Sequence, residues 1–187
     1  FSHDYASVGI YSVAITLASL ILVLSSALLQ YFNPKIYTLL KEQETDYSSL
    51  SRYFLSYAGV MLLATLLIIA VIPFVYHFGL KPSYSQGLNY YFFICIGYFL
   101  WSLSIFFYPF MLYNKQKKKL LIVSVCSITI CIVTQYLFIK RLDTMGAAIS
   151  ISVVYFFNLI ITIGTLYKEL SPLPGSLFSK LKEGVKP

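Results

Sequence analysis

Apolar positions cluster into five runs, at residues 8–32, 53–78, 88–113, 120–139 and 145–167. Each run is close to or above the roughly 20 residues that carry a helix through a bilayer core about 30 Å thick. None alternates with the period of two that a barrel strand would show. The pattern predicts an all-α, polytopic membrane helix bundle of five transmembrane helices within residues 1–170, followed by a tail over 171–187. The first run carries no formal charge, but it is not uniformly apolar. Gly9, Ser12, Thr16, Ser19, Val23, Ser26 and Gln30 step by three and four and so share one helix face. A small, polar face on a membrane helix packs on protein or on a hydrated path.

Punctuation within the runs refines this layout. Asn33-Pro34 is expected to end or bend the first helix, with Ile36, Leu39 and Leu40 in a short inner-surface helix or a solvated loop. Pro73 marks a bend in the second span, which ends at the interfacial His77, read either as a hydrated interface group or as a proton relay. Aromatic residues crowd both ends of the third run, Tyr90–Phe93 and Phe106–Tyr113, where they read as interfacial belts or as a platform for sugars. Pro109 is expected to bend that helix near its inner end. In the fourth run Ser124, Ser127 and Cys131 form a small-residue stripe that continues to Thr134 or Gln135. The fifth opens on Gly146 and Ser150, a pair suited to close helix contact, and has Asn158 near its middle. The tail offers Leu177, Phe178 and Leu181 to the membrane surface.

Charge orients the bundle. Eleven of the Lys and Arg residues fall beside one set of alternate loops and three beside the other. The positive-inside rule then places Phe1 outside the cytoplasm and the 171–187 tail inside it. Lys115, Lys117, Lys118 and Lys119 form a basic turn that anchors topology and fits anionic lipid headgroups. The net charge of +7 therefore speaks of membrane lipids as partners, and no nucleic-acid partner is expected. Of the 187 residues 58% are hydrophobic, above the usual soluble range of roughly 45–50%. Cys95, Cys126 and Cys131 all lie inside apolar runs and read as packing residues. The chain opens on Phe1 without a charged leader, and it reads as part of a longer protein.

Enzyme chemistry finds no foothold. Phosphate loops, HExxH, paired metal-ligand spacings and nucleophile elbows are absent from the sequence, so no catalytic residue, metal or cofactor is expected. No Asp, Glu, Lys or Arg lies deep within a run, which removes the buried ionisable group that ion-coupled transporters keep. What remains is neutral and polar: Thr16, Gln30, Gln135, Asn158 and several serines. As structure they suit interhelical hydrogen bonds, and as functional groups a polyhydroxyl ligand.

The order of motifs VGIYSVA (residues 8–14), SSALLQYFNPKIYTL (25–39), Ile72-Pro73 with Phe78-Gly79, LYNKQKKK (112–119) and MGAAIS (145–150) resembles the second half of O-antigen (Wzx-type) flippases. These belong to the multidrug/oligosaccharidyl-lipid/polysaccharide exporter superfamily. The resemblance implies two six-helix lobes around a cavity, with this chain supplying spans eight to twelve in a bacterial inner membrane. It implies an undecaprenyl-pyrophosphate-linked oligosaccharide as substrate and a further N-terminal lobe as partner. It also implies a cavity face of Ser12, Thr16, Ser19 and Gln30, joined by Gln135 and Asn158. The cations such a cavity uses on pyrophosphate would come from the other lobe. Alternatives are a drug or metabolite exporter of the same superfamily, a membrane-embedded glycosyltransferase or polymerase, and a non-transporting structural membrane subunit.

Overall fold

The computed structural model describes residues 5–41 and 47–170. Its helices are α1 (Tyr5–Ala18), α2 (Leu20–Lys41), α3 (Tyr47–Gly79), α4 (Gly87–Ile105), α5 (Tyr108–Tyr113) and α6 (Lys117–Leu170), with a 3-10 turn at Pro82–Tyr84. Among the described residues there is no strand. Four helices are long and apolar enough to cross a membrane: Ser7–Lys41, Ser49–Gly79, Gly87–Tyr113 and Lys117–Leu166. Large apolar side chains such as Leu63 and Leu67 on α3 and Leu121 and Ile132 on α6 lie exposed. Water would not tolerate such a surface, whereas bilayer hydrocarbon does. The protein spans a membrane. The expected tail over 171–187, with Leu177, Phe178 and Leu181, lies outside the described residues.

The four long helices contain the five apolar runs because the fourth and fifth share α6. At Asp143 its backbone leaves the helical region, with φ 46 and ψ −130. The two parts of α6 then run back alongside each other. Asn158 Nδ2 donates to Ser127 Oγ at 2.7 Å across 31 residues, which a straight helix would hold about 46 Å apart. A Cβ on Gly146 would stand 2.1 Å from the Phe138 carbonyl oxygen, eight residues back. α6 is thus a helical hairpin of two antiparallel legs.

α4 is the hub. It packs most extensively on α6, then on α1, α3 and α2. Being apolar on all sides, it needs no single core-facing stripe. Contact with the second leg of α6 is close at Gly97, where a Cβ would lie 2.8 Å from the Ile151 side chain and 3.2 Å from its backbone. There Ser152 Oγ donates to the Phe93 carbonyl.

Two local expectations resolve differently. Asn33-Pro34 does not end the first helix, since α2 runs through it to Lys41. Ile36, beyond the proline, is fully buried, and Tyr37 meets Tyr113 of α5 with ring centroids 6.2 Å apart. Packing thus holds the segment helical despite the lost N–H. Of the aromatic residues at the inner end of the third run, Phe106, Phe107 and Phe110 are buried core and not belt, whereas Tyr108 is half-buried and Tyr113 exposed. Phe106 packs on Tyr57, Phe54 and Phe32 at centroid distances of 5.1, 5.4 and 6.4 Å. Pro109 does break the third run as expected, separating α4 from α5. At Pro73 α3 stays helical; the proline takes the donor from the Ile69 carbonyl, and the Tyr91 hydroxyl donates to the adjacent Ile68 carbonyl at 3.2 Å.

Candidate functional site

The expected cavity residues separate into two places. Ser12, Thr16 and Gln30 are exposed on α1 and α2, and Ser19, at the junction of the two helices, is half-buried. The hydroxyls are satisfied within their own helix. Ser12 Oγ donates to the Val8 carbonyl at 2.9 Å, Thr16 Oγ1 to Ser12 at 2.9 Å, Ser19 Oγ to Thr16 at 2.6 Å and Ser26 Oγ to Leu22 at 2.9 Å. Back-bonding of this kind lets a hydroxyl face water, protein or lipid. Gln30 differs, presenting two donors and an acceptor on the exposed face. A Cβ added to Gly9, on the same face, would meet nothing.

Gln135 and Asn158 meet elsewhere, at a cavity of about 360 Å³ between α4, α5 and the two legs of α6. Aromatic walls come from Trp101, Tyr108 and Tyr155. The Trp101 ring lies 5.1 Å from that of Tyr155 and 6.0 Å, edge-on, from that of Tyr108. The polar wall is the stripe of the first leg, Ser124, Ser127 and Gln135, with Cys131 between them and Asn158 from the second leg. Their spacing of three and four residues explains why one face of the leg lines the space. Of the two continuations open to this stripe, Gln135 lines the cavity; Thr134 Oγ1 donates to the Ile130 carbonyl at 2.7 Å.

Asn158 is 2% exposed, and Nδ2 donates to Ser127 Oγ at 2.7 Å. Ser127 Oγ in turn donates to the Val123 carbonyl at 2.7 Å. The Asn158 Oδ1 atom is buried without a hydrogen-bond partner. The Tyr108 hydroxyl also pairs with this amide on its donor side, which leaves Oδ1 as the unpaired end. No charged side chain lines the cavity.

Lys115, Lys117, Lys118 and Lys119 sit where α5 turns into α6, with Lys115 at φ 55. Lys115, Lys117 and Lys118 are exposed, which suits an anchor at a membrane surface. His77 is exposed at the end of α3. Among the described residues no group of His, Cys, Asp and Glu could hold a metal.

The reading of single apolar runs missed the buried relay that ties α2, α3 and α4. Ser25 Oγ and the Tyr57 hydroxyl lie 2.8 Å apart, and Tyr57 donates to the Ser102 carbonyl at 3.1 Å. The signal that could have found it is the spacing of Tyr53, Tyr57 and Met61, an aromatic-rich ridge on one face of the second run. Trp101 and Tyr155 were likewise not singled out, because they converge with Tyr108, one of the inner-end aromatics of the third run, only through the fold. The chain matches no protein-family model, no curated protein and no solved structure.

Proposed function

We propose that this chain forms five transmembrane helices of the C-terminal lobe of a flippase for undecaprenyl-pyrophosphate-linked oligosaccharide, working by alternating access in a bacterial inner membrane. The exposed polar face of α1 and α2 carries the reading. Gln30 turns an amide away from the rest of the bundle, and Ser12, Thr16 and Ser26 continue its face. A face of this kind suits a hydrated path or a second lobe better than hydrocarbon. The motif order shared with O-antigen flippases points the same way. The hairpin supports a count of five crossings, since each leg of α6 is long enough to span a bilayer alone. Transport of this kind needs no covalent chemistry and no cofactor. The pyrophosphate would be met by cations of the other lobe.

Accessibility tests the reading. Single cysteines replacing Ser12, Thr16 and Ser19 should react with a water-soluble maleimide in cells, and replacements of Leu17 and Leu24 should not. In a flippase-null strain Gln30→Leu should lower surface polysaccharide several-fold at equal protein level, without abolishing it. Uniform protection of the polar face, together with wild-type polysaccharide from Gln30→Leu, would remove the face from any transport path.

A further inference from the structure

The cavity behind the α6 hairpin is separate from the exposed face of α1 and α2, and no residue of either helix lines it. Its volume of about 360 Å³ exceeds what a single water fills and reaches the lower end of ligand pockets, roughly 300–1,000 Å³. Its depth is set by the hairpin. Ser127 and Asn158 lie 16 and 15 residues from Asp143, which at 1.5 Å per residue is about 23 Å along each leg. That places the polar pair well inside the hydrocarbon layer. An amide there with an unpaired polar end is unfavourable unless something completes its hydrogen bonding.

The walls select the class of ligand. With no charged group present, an ion would lose its hydration and gain no counter-charge, so the ligand is neutral. A wholly apolar ligand would leave Asn158 and Gln135 unsatisfied. Hydroxyl groups suit both amides, since each amide both donates and accepts. The packed rings of Trp101 and Tyr155 offer a broad apolar surface to the carbon face of a ring. We propose that this cavity is a binding site for a neutral, hydroxyl-bearing ring, a single sugar residue or a polyol of that size, held by Asn158 and Gln135 against Trp101 and Tyr155.

The ring could come free from solution or as the headgroup of a glycolipid, and an experiment separates the two. Trp101 is the only tryptophan in the chain, so its emission reports on this cavity alone. The protein is reconstituted in phosphatidylethanolamine–phosphatidylglycerol nanodiscs, free of glycoside detergents. Methyl glucoside and N-acetylglucosamine are titrated in one arm, and monoglucosyl diacylglycerol is added to the bilayer in a second. A saturable change in Trp101 emission is expected in at least one arm, and which arm responds identifies the source. Asn158→Leu should weaken the response at least tenfold. Gln135→Leu, a substitution at an exposed position that leaves the packing intact, should weaken it several-fold. A third arm uses phosphatidylcholine with brominated acyl chains. Quenching there, with no response to any glycoside, would make the cavity an acyl-chain slot and overturn the proposal. Silence in all arms, or a glycoside response indifferent to both variants, overturns it as well. Binding is read without transport, so a failed complementation assay leaves this inference standing, and a failed titration leaves the flippase reading standing.

Discussion

Tyr57 shows how a single polar atom is accommodated in this bundle. Its ring is fully buried, and its one proton goes to the Ser102 carbonyl, so the Ser25 hydroxyl donates to the phenol oxygen. Three helices are thereby tied at one point. Hydrogen bonds between membrane helices contribute modestly, because the separated helices find other partners. Ser25 has such an alternative in its own preceding turn, as Ser26 does one residue on. Tyr57→Phe should therefore cost only about 1 kcal/mol. Tyr57→Ala removes the ring from its contacts with Phe32 and Phe106 and should cost about 3–5 kcal/mol. Unfolding of the two variants in mixed micelles by increasing denaturing detergent measures the difference. Equal losses would mean that the hydroxyl, not the ring, dominates. The sequence marked Asn158 and Gln135 as polar groups worth following, and it marked the stripe from Ser124 to Cys131, since helical spacing alone decides which side chains share a face. It did not mark Tyr57 or Trp101. Their importance arises from contacts between helices far apart in sequence, which no local pattern encodes.

Helices are the level at which the pattern was most legible, and their breaks the level at which it was least. Apolar runs located every long helix, because a backbone in hydrocarbon has to close its hydrogen bonds within the helix. Pro34 does not end its helix, because a proline removes one donor only, and buried Ile36 with the Tyr37–Tyr113 contact outweighs that loss. Ser19, at the short irregularity between α1 and α2, carries no breaking residue type at all. The hairpin of α6 rests on Asp143 and Gly146. Asp143 holds a positive φ of 46, a conformation that glycine adopts without a Cβ penalty, so Asp143→Gly should stabilise the turn by up to about 1 kcal/mol. Gly146 is the opposite case. Any Cβ there meets the Phe138 carbonyl, a backbone atom with no rotamer to yield. Gly146→Ala should therefore spread the legs. With Ser127→Cys and Asn158→Cys in place, a short bifunctional crosslinker should join the legs efficiently in the parent and in Asp143→Gly. Adding Gly146→Ala should reduce joining several-fold. Unchanged crosslinking would show that the turn relaxes around the added methyl.

At the scale of the whole molecule, the proposed topology turns on whether both legs of the hairpin cross the membrane. A straight helix over Lys117–Leu170 would be about 80 Å long, far more than a bilayer core of about 30 Å, and would put its two ends on opposite sides. In the proposed five-span arrangement each leg of the folded α6 crosses once, which puts the basic turn at Lys115–Lys119 and Lys168 on one side. Charge agrees with this arrangement. The same arrangement would put Lys35, Lys41 and Arg52 on that side and Lys81, Lys140 and Arg141 on the other. Cytoplasmic loops are the ones enriched in Lys and Arg. Reporter fusions after Lys118 and after Lys168 should therefore both read cytoplasmic, and those after Ser83 and Asp143 should read periplasmic. The fusion after Asp143 carries the most weight, because only a hairpin brings residue 143 to the surface opposite Lys118 and Lys168. Opposite readings at Lys118 and Lys168 would mean that α6 crosses once, which would leave four spans and undo the five-helix lobe. Replacing Lys115, Lys117, Lys118 and Lys119 with Gln tests the cause as well as the outcome. Each of these charges contributes roughly 1 kcal/mol of attraction to an anionic cytoplasmic leaflet. Without them the hairpin should insert in mixed orientations, seen as partial periplasmic signal after Lys118, while the reading after Ser83 stays periplasmic.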